Sequence, residues 1–167
     1  MRLKKKHIAA IALSVAICVS ATGCKSEEVK NTEKLIKEID STITLSSESV
    51  IEQAEAAYNA LGEEQKDVSN AKKLTDARAA YDELYQNEVA PVEQAIASIP
   101  DESALLTDDN AEKLVEAARL SYIRASDEAQ GLVSNYSVLE NAEKILEDAR
   151  VQNAIDAINQ IDRKSVV

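Results

Sequence analysis

Residues 92–99, Val-Glu-Gln-Ala-Ile-Ala-Ser-Ile, follow the pattern of residues 32–39, Thr-Glu-Lys-Leu-Ile-Lys-Glu-Ile, at an offset of 60. Further along, Ala54-Glu-Ala-Ala-Tyr58 matches Ala118-Arg-Leu-Ser-Tyr122 at an offset of 64. Gln65-Lys-Asp-Val68-Ser69-Asn70 then meets Gln130-Gly-Leu-Val133-Ser134-Asn135, and Leu74 and Ala77 meet Leu139 and Ala142, at an offset of 65. The offsets drift by a few residues, as they do when insertions fall in loops. A third copy opens at Val151-Gln-Asn-Ala-Ile155-Asp-Ala-Ile158 and runs for one element. Internal repetition constrains a fold more than any other sequence signal, because each copy must adopt the same local structure. A unit of roughly 60 residues is near the lower limit for a core of its own.

The apolar residues of each unit recur at spacings of three and four, the helical period. Val29, Ile36, Ile39 and Ile43 form the first stripe, Val50, Ile51, Ala54, Tyr58 and Leu61 the second, and Leu74, Ala77, Tyr81 and Leu84 the third. Ile96 and Ile99, then Leu114, Val115, Ala118 and Tyr122, then Leu139, Ala142, Leu146 and Ala149 repeat them. No run alternates with period two long enough for a strand, and the abundant Ala, Glu, Lys, Leu and Gln favour helix. The expected fold is therefore all-α: two tandem three-helix bundles over 29–90 and 91–150, with a helical extension over 151–167. Pro100 stops a helix near Ile99. Pro91, with no Gly/Ser linker around it, predicts a shared helix from about Ala71 to Ile99, kinked or briefly broken there. Ser46 is the expected cap of the second helix and Thr107 of its counterpart, with Asp108 and Asp109 at the positive helix end. Ser137 and Glu140 have capping-box spacing, with Ser69 and Ser134 as competing starts.

The first 24 residues have a different logic. Arg2, Lys4, Lys5 and Lys6 precede an apolar run from Ile8 to Val19, and Ala21-Thr22-Gly23-Cys24 follows. This is a secretory signal, and its end resembles the lipobox of bacterial lipoproteins, with alanine at Ala21 where leucine is usual. The resemblance implies removal of residues 1–23, a covalent diacylglycerol and acyl lipid on Cys24, and a short tether over 24–28. Cys18 is the poorer candidate, because Ile17 is bulky at the position before it. An ordinary cleaved signal is the competing reading. The apolar run is shorter than the roughly 20 residues a membrane span needs.

Processing at Cys24 removes the only His (His7), Cys18 and Met1, and Trp and Phe are absent throughout. Without imidazole or a free thiol, His/Cys metal sites and Ser-His or Cys-His nucleophile pairs are excluded. The two remaining glycines, Gly62 and Gly131, are too far apart for a phosphate loop. The chain from Cys24 onward carries 15 basic and 30 acidic residues, a net charge of −15. That charge argues against nucleic acid as a partner and against lying flat on anionic lipid, so two or three acyl chains would hold the protein to the membrane.

Two phrases are distinctive: Ala56-Ala-Tyr58-Asn-Ala-Leu61-Gly-Glu-Glu-Gln65-Lys-Asp-Val68 and Val133-Ser-Asn135-Tyr136-Ser-Val-Leu139-Glu-Asn-Ala142-Glu. Both resemble a three-helix repeat found in tandem in large surface proteins of Gram-positive bacteria, over about residues 30–160. There the repeat looks like a spacer or protein-interaction module, and it brings no catalytic residues. The expectation here is that the repeats themselves are the working part, with no functional domain attached.

No catalytic residue, metal ligand or cofactor is expected. Asp108, Asp109 and Asn110, near Asp101 and Glu102, lack EF-hand spacing and its glycine, and read as an acidic helix start. Glu63 and Glu64 are paired carboxylates on a solvated loop, where no burial shifts a pKa. Tyr81 reads as core, Tyr85 as a flank covering the joint near Val89, and Tyr136 as loop packing. Val151, Ile155, Ile158 and Ile161 form the stripe of a first helix without its two partners: either it packs back on the second unit, or it is exposed and these are the candidate partner-binding residues. The expected role is a non-enzymatic, lipid-anchored spacer or docking module on the extracytoplasmic face of the membrane. Its partner would be another surface protein, with self-association through the last helix. The alternative is a ligand-capturing lipoprotein, or an accessory subunit of a transporter or cell-envelope complex.

Overall fold

The computed structural model describes residues 25–165; the basic and apolar leader, Cys24 and the last two residues lie outside them. The described chain is all-α and contains no strand. Helices α1 (Glu27–Glu38), α2 (Glu48–Ala60) and α3 (Ala71–Glu88) contact one another pairwise. Helices α4 (Ala90–Ala97), α6 (Ala111–Arg124) and the long α8 (Tyr136–Ser165) do the same, with short helices α5 (Glu102–Leu105) and α7 (Asp127–Leu132) in the connections.

The core follows the sequence repeat position by position. Val29, Thr32, Ile36, Ile39 and Leu45 are buried, and so are Val89, Val92, Ile96, Ile99 and Leu105, 60 residues on. Ile51 and Ala54 pair in the same way with Val115 and Ala118, and Val68, Leu74 and Ala77 with Val133, Leu139 and Ala142. Thr32 is the polar exception, and its hydroxyl donates to the Glu28 carbonyl one turn back at 2.9 Å. Ala54, Ala77, Ala118 and Ala142 are buried among these aliphatic side chains, and their small size suits close packing of the helices.

Between α3 and α4 the helix is interrupted at Val89, which is fully buried. Val89 N still donates to Tyr85 O at 2.9 Å, and Val92 N to Val89 O at 3.0 Å. Pro91, in the first turn of α4, has no N–H to continue the ladder, so the break is one residue wide. Tyr85 covers the joint from the side, its hydroxyl donating to Glu93 Oε2 at 3.0 Å. Ser126 Oγ reaches Glu88 at 3.1 Å, and α7 packs on the 3₁₀ turn Leu45–Ser47, so contacts also run across the joint.

Several helix starts differ from the expectation. Thr44, not Ser46, caps the entry to α2: its Oγ1 accepts from Ser46 N at 3.3 Å and its N donates to Ser47 Oγ at 3.1 Å. Ile43 lies beyond the end of α1, half-buried in the connection. Thr107 does not cap α6 either. Its hydroxyl bonds back to Ser103 and Ala104 carbonyls, while Asp108 Oδ1 accepts from Asn110 N at 2.8 Å. Ser137 is inside α8, which starts one residue earlier at Tyr136. The two shifted caps have one cause: Ser, Thr and Asp crowd these connections, and any of them can satisfy a free N–H. The third copy is not a separate helix. It is the second half of α8, which spans 30 residues, about 45 Å at 1.5 Å per residue.

Candidate functional site

Several polar side chains hold the helices together, and one device occurs twice. Glu33 Oε1 accepts from Ser69 N at 2.8 Å and Ser69 Oγ at 2.6 Å, and from Lys25, while the Glu33 carbonyl accepts from Asn70 Nδ2 at 2.9 Å. Sixty residues on, Glu93 Oε1 accepts from Ser134 N at 2.9 Å and Ser134 Oγ at 2.5 Å, and its carbonyl accepts from Asn135 Nδ2 at 2.9 Å. Each lock ties the first helix of a unit to the start of its third. The Lys25 ammonium and the Ser69 donors hold Glu33 at about 2, and the Ser134 donors lower Glu93. Tyr85, raised by burial and by its bond to Glu93, gives the second lock its extra donor.

These depressed values set the direction of a pH effect. A carboxyl group whose folded pKa lies below its unfolded value stabilises the fold above the unfolded value, and that contribution is lost as the pH falls through the folded one. The melting temperature should be insensitive to Glu33 titration above about pH 5 and fall as the pH drops from about 4.5 towards 2. In Glu33→Gln with Glu93→Gln, thermal melts across the acid range should show a lower plateau and a shallower fall. An unchanged acid limb would mean the locks contribute nothing.

A second device recurs with its charges exchanged. In the first unit Arg78 of α3 binds Glu55 of α2 bidentately, at 2.7 and 2.6 Å. In the second unit the arginine is on the other helix: Arg119 of α6 donates through Nε to Glu143 of α8 at 2.5 Å, and Nη2 binds the other oxygen. Arg119 also donates to the Tyr136 hydroxyl at 3.1 Å, and its guanidinium lies 5.7 and 5.4 Å from the Tyr122 and Tyr136 ring centres. Those rings stack 4.4 Å apart. Tyr136 is therefore part of a packed cluster rather than a loop cover. Tyr81 is core, and burial pushes its hydroxyl up to about 12.

Among the described residues, no three or more Asp, Glu, His or Cys side chains are grouped to hold a metal. Asp101 Oδ1 accepts from Ser103 Oγ and Ala104 N, and Asp108 closes the turn before α6. Glu63 and Glu64 are exposed on the 3₁₀ segment Gly62–Asp67, where Glu64 accepts from Ser26 Oγ at 2.5 Å. No helix among the described residues is long and apolar enough to cross a membrane.

The described residues also expose apolar surface. Val151, Ile155, Ile158 and Ile161 are 49%, 45%, 60% and 66% exposed on α8. Cys24 lies outside the described residues, but α1 begins at Glu27 with Ser26 as its cap, so the fold starts two residues after it. The sequence reading did not single out four further exposed aliphatics: Leu106, Leu120, Ile123 and Val138. Their repeat counterparts are Ser46, Ala56, Asn59 and Lys73, which are small or polar. The comparison of the two copies held this signal, at positions where apolarity was gained outside the buried stripe. Leu120 borders a shallow groove with Pro91, Ala117, Ser121 and Arg124. No family model matches the chain, and comparisons with curated proteins and with solved structures find no match.

Proposed function

We propose that this chain is a lipid-anchored protein of the extracytoplasmic face of a bacterial cell membrane, serving as a helical spacer and docking module for another surface protein, without enzymatic activity. The observation that carries the docking role is the distribution of exposed aliphatics. Val50 is the only large one before residue 106 among the described residues, and Leu106, Leu120, Ile123, Val138 and the α8 stripe all follow. The unit nearer Cys24 in sequence is clad in polar side chains, and the later unit is not. A surface protein that presents a partner-binding end and keeps its anchored end inert has this pattern. The likeness of the two repeats to spacer modules of Gram-positive surface proteins supports the same reading, as does the signal ending at Cys24. The start of α1 three residues after Cys24 leaves no long flexible tether, which suits a spacer.

The anchor and the docking face have separate tests. Labelled palmitate should enter the full-length chain, and Cys24→Ala should abolish incorporation and leave the precursor uncut. Processing and membrane retention of Cys24→Ala would remove the lipoprotein reading. Leu120→Asp with Ile123→Asp should keep the melting temperature within a few degrees, since both side chains are already exposed. The pair should lose a cross-linked neighbour that the unsubstituted chain captures on cells. Identical cross-linking patterns for the two chains would remove this face from the docking role.

A further inference from the structure

The break at Val89 is bridged by side chains from both units. The backbone stays helical through it: Val89 has φ −96° and ψ −51°, and its carbonyl accepts from Val92 N at 3.0 Å and Glu93 N at 3.1 Å. A break held by backbone alone is a hinge, since a change of φ and ψ at one residue swings whatever follows. Here more than backbone holds it. The Val89 side chain is fully buried. Tyr85, in the last turn of α3, donates to Glu93 Oε2 on α4 at 3.0 Å. Glu88, the last residue of α3, accepts from Ser126 Oγ at 3.1 Å. Ser126 caps α7, and α7 packs on the turn Leu45–Ser47 of the first unit. The second unit is thus tied both to α3 and to the connection between α1 and α2.

The tie through Tyr85 follows a pattern that the repeat shows twice. Glu93 also holds Ser134, so one carboxylate serves the lock inside the second unit and the tie to the first. Its counterpart Glu33 holds Ser69 and takes Lys25 as its extra donor. Tyr85 and Lys25 each stand eight residues before their glutamate, and 60 residues from one another. Each lock therefore takes a donor from the segment of chain that enters its unit. At the first unit that segment is the short stretch before α1. At the second it is a helix of the neighbouring bundle, so the same pattern there joins two bundles.

We propose that these ties make the two bundles one stiff body, with the bend and twist between them fixed rather than free to swing about Val89. The proposal deepens the spacer role and rests on that reading for its purpose. A jointed spacer lets its docking end fold back, whereas a clamped one holds that end at a set distance and attitude. The joint also shapes one surface. Asn87 and Glu88 of the first unit line the shallow groove together with Leu120, Ser121 and Arg124 of the second, so a swing at Val89 would pull its walls apart. Stiffness does not require the units to melt together, because two side-chain hydrogen bonds can fix an angle without coupling the unfolding of two bundles.

The test is the distance between spin labels on the two units of the full-length chain, isolated from expressing cells. The labels are attached to non-natural keto side chains at positions 52 and 140, which leaves Cys18 and Cys24 unlabelled. Glu52 on α2 and Glu140 on α8 are both exposed, so neither replacement threatens folding. Pulsed electron paramagnetic resonance should give a single narrow distance peak. Tyr85→Phe with Glu88→Ala removes both hydrogen bonds and keeps the ring at 85 and the Glu93–Ser134 lock. Its peak should broaden at least about twofold, since relative motion is the default for domains without a large fixed interface. The melting temperature should move by no more than a few degrees. Ser69→Ala, which weakens the lock inside the first unit, is the control: it should lower the melting temperature and leave the peak narrow. A broad or multiple peak in the unsubstituted chain overturns the proposal, and so does an equally narrow peak in the double variant. Palmitate labelling and cell-surface cross-linking report separately on the anchor and the docking face. Their failure beside a narrow peak that broadens in the double variant removes the spacer reading and leaves the stiff joint.

Discussion

Leu139→Asp should unfold the second unit and leave the first largely helical. Leu139 is fully buried on α8, at the position that Leu74 occupies in the first unit. Truncating a buried leucine costs about 2–5 kcal/mol. An unpaired carboxylate in its place adds several kcal/mol more, or titrates to its neutral form at a similar cost. Domains of this size have roughly 5–15 kcal/mol in total, so the loss is of the order of the whole stability of one unit. The expected circular dichroism signal is a fall of about half in helicity at room temperature, with a surviving cooperative melt. Hydrogen exchange should place the survivor in α1, α2 and α3, because α8 packs chiefly on α4, α5 and α6. Complete unfolding would show instead that the joint at Val89 and the Ser126–Glu88 contact make the units one cooperative block. That result would argue for a stiff spacer more strongly than two independent melts.

The helical stripes and the repeat were legible in the sequence because both depend on local spacing. Ile36, Ile96, Ala54 and Ala118 were assigned to buried faces from period alone, and all four are buried. The joint was legible too, since Pro91 has no N–H; the break falls two residues earlier, where that missing donor first matters. Helix starts were less so. Thr44 and Asp108 act beside Ser46 and Thr107, and the choice among neighbouring hydroxyls and carboxylates depends on chain direction in three dimensions. The Glu33–Ser69 and Glu93–Ser134 locks span 36 and 41 residues, so helical period does not show them, although both partners recur in the repeat. The exposed Leu120 and Ile123 were hidden for another reason: at helical spacing an apolar residue beside a core stripe reads as part of it. The α8 stripe was legible as apolar, but not its exposure, since α8 runs on unbroken past the helices of its unit.

Reversing one charge of the second-unit ion pair should be costly, and reversing both should restore most of the loss. Arg119→Glu would set two carboxylates together at positions 119 and 143 and take away the donor to Tyr136 and the cation over two rings. The pair is about one-third exposed, so solvent screens it and the loss falls short of the 3–5 kcal/mol of a fully buried pair. About 2–3 kcal/mol is expected, including the ring contacts. At roughly 4–8 °C per kcal/mol for a small unit, the melting temperature should fall by about 10 °C or more. Arg119→Glu with Glu143→Arg recreates the order that Glu55 and Arg78 have in the first unit, where the acid is on the second helix and the base on the third. Recovery should nonetheless be incomplete. In the first unit Arg78 lies 5.4 Å from the Tyr81 ring, but the counterpart of Tyr81 in the second unit is Leu146, so an arginine at 143 has no such ring beneath it. A deficit of about 1 kcal/mol should remain, and Leu146→Tyr added to the double variant should narrow it. Full additivity of the two single reversals, with no recovery in the double, would show that the pair does not couple α6 to α8. The charge exchange between the two repeats would then be a surface difference without a role in holding the helices together.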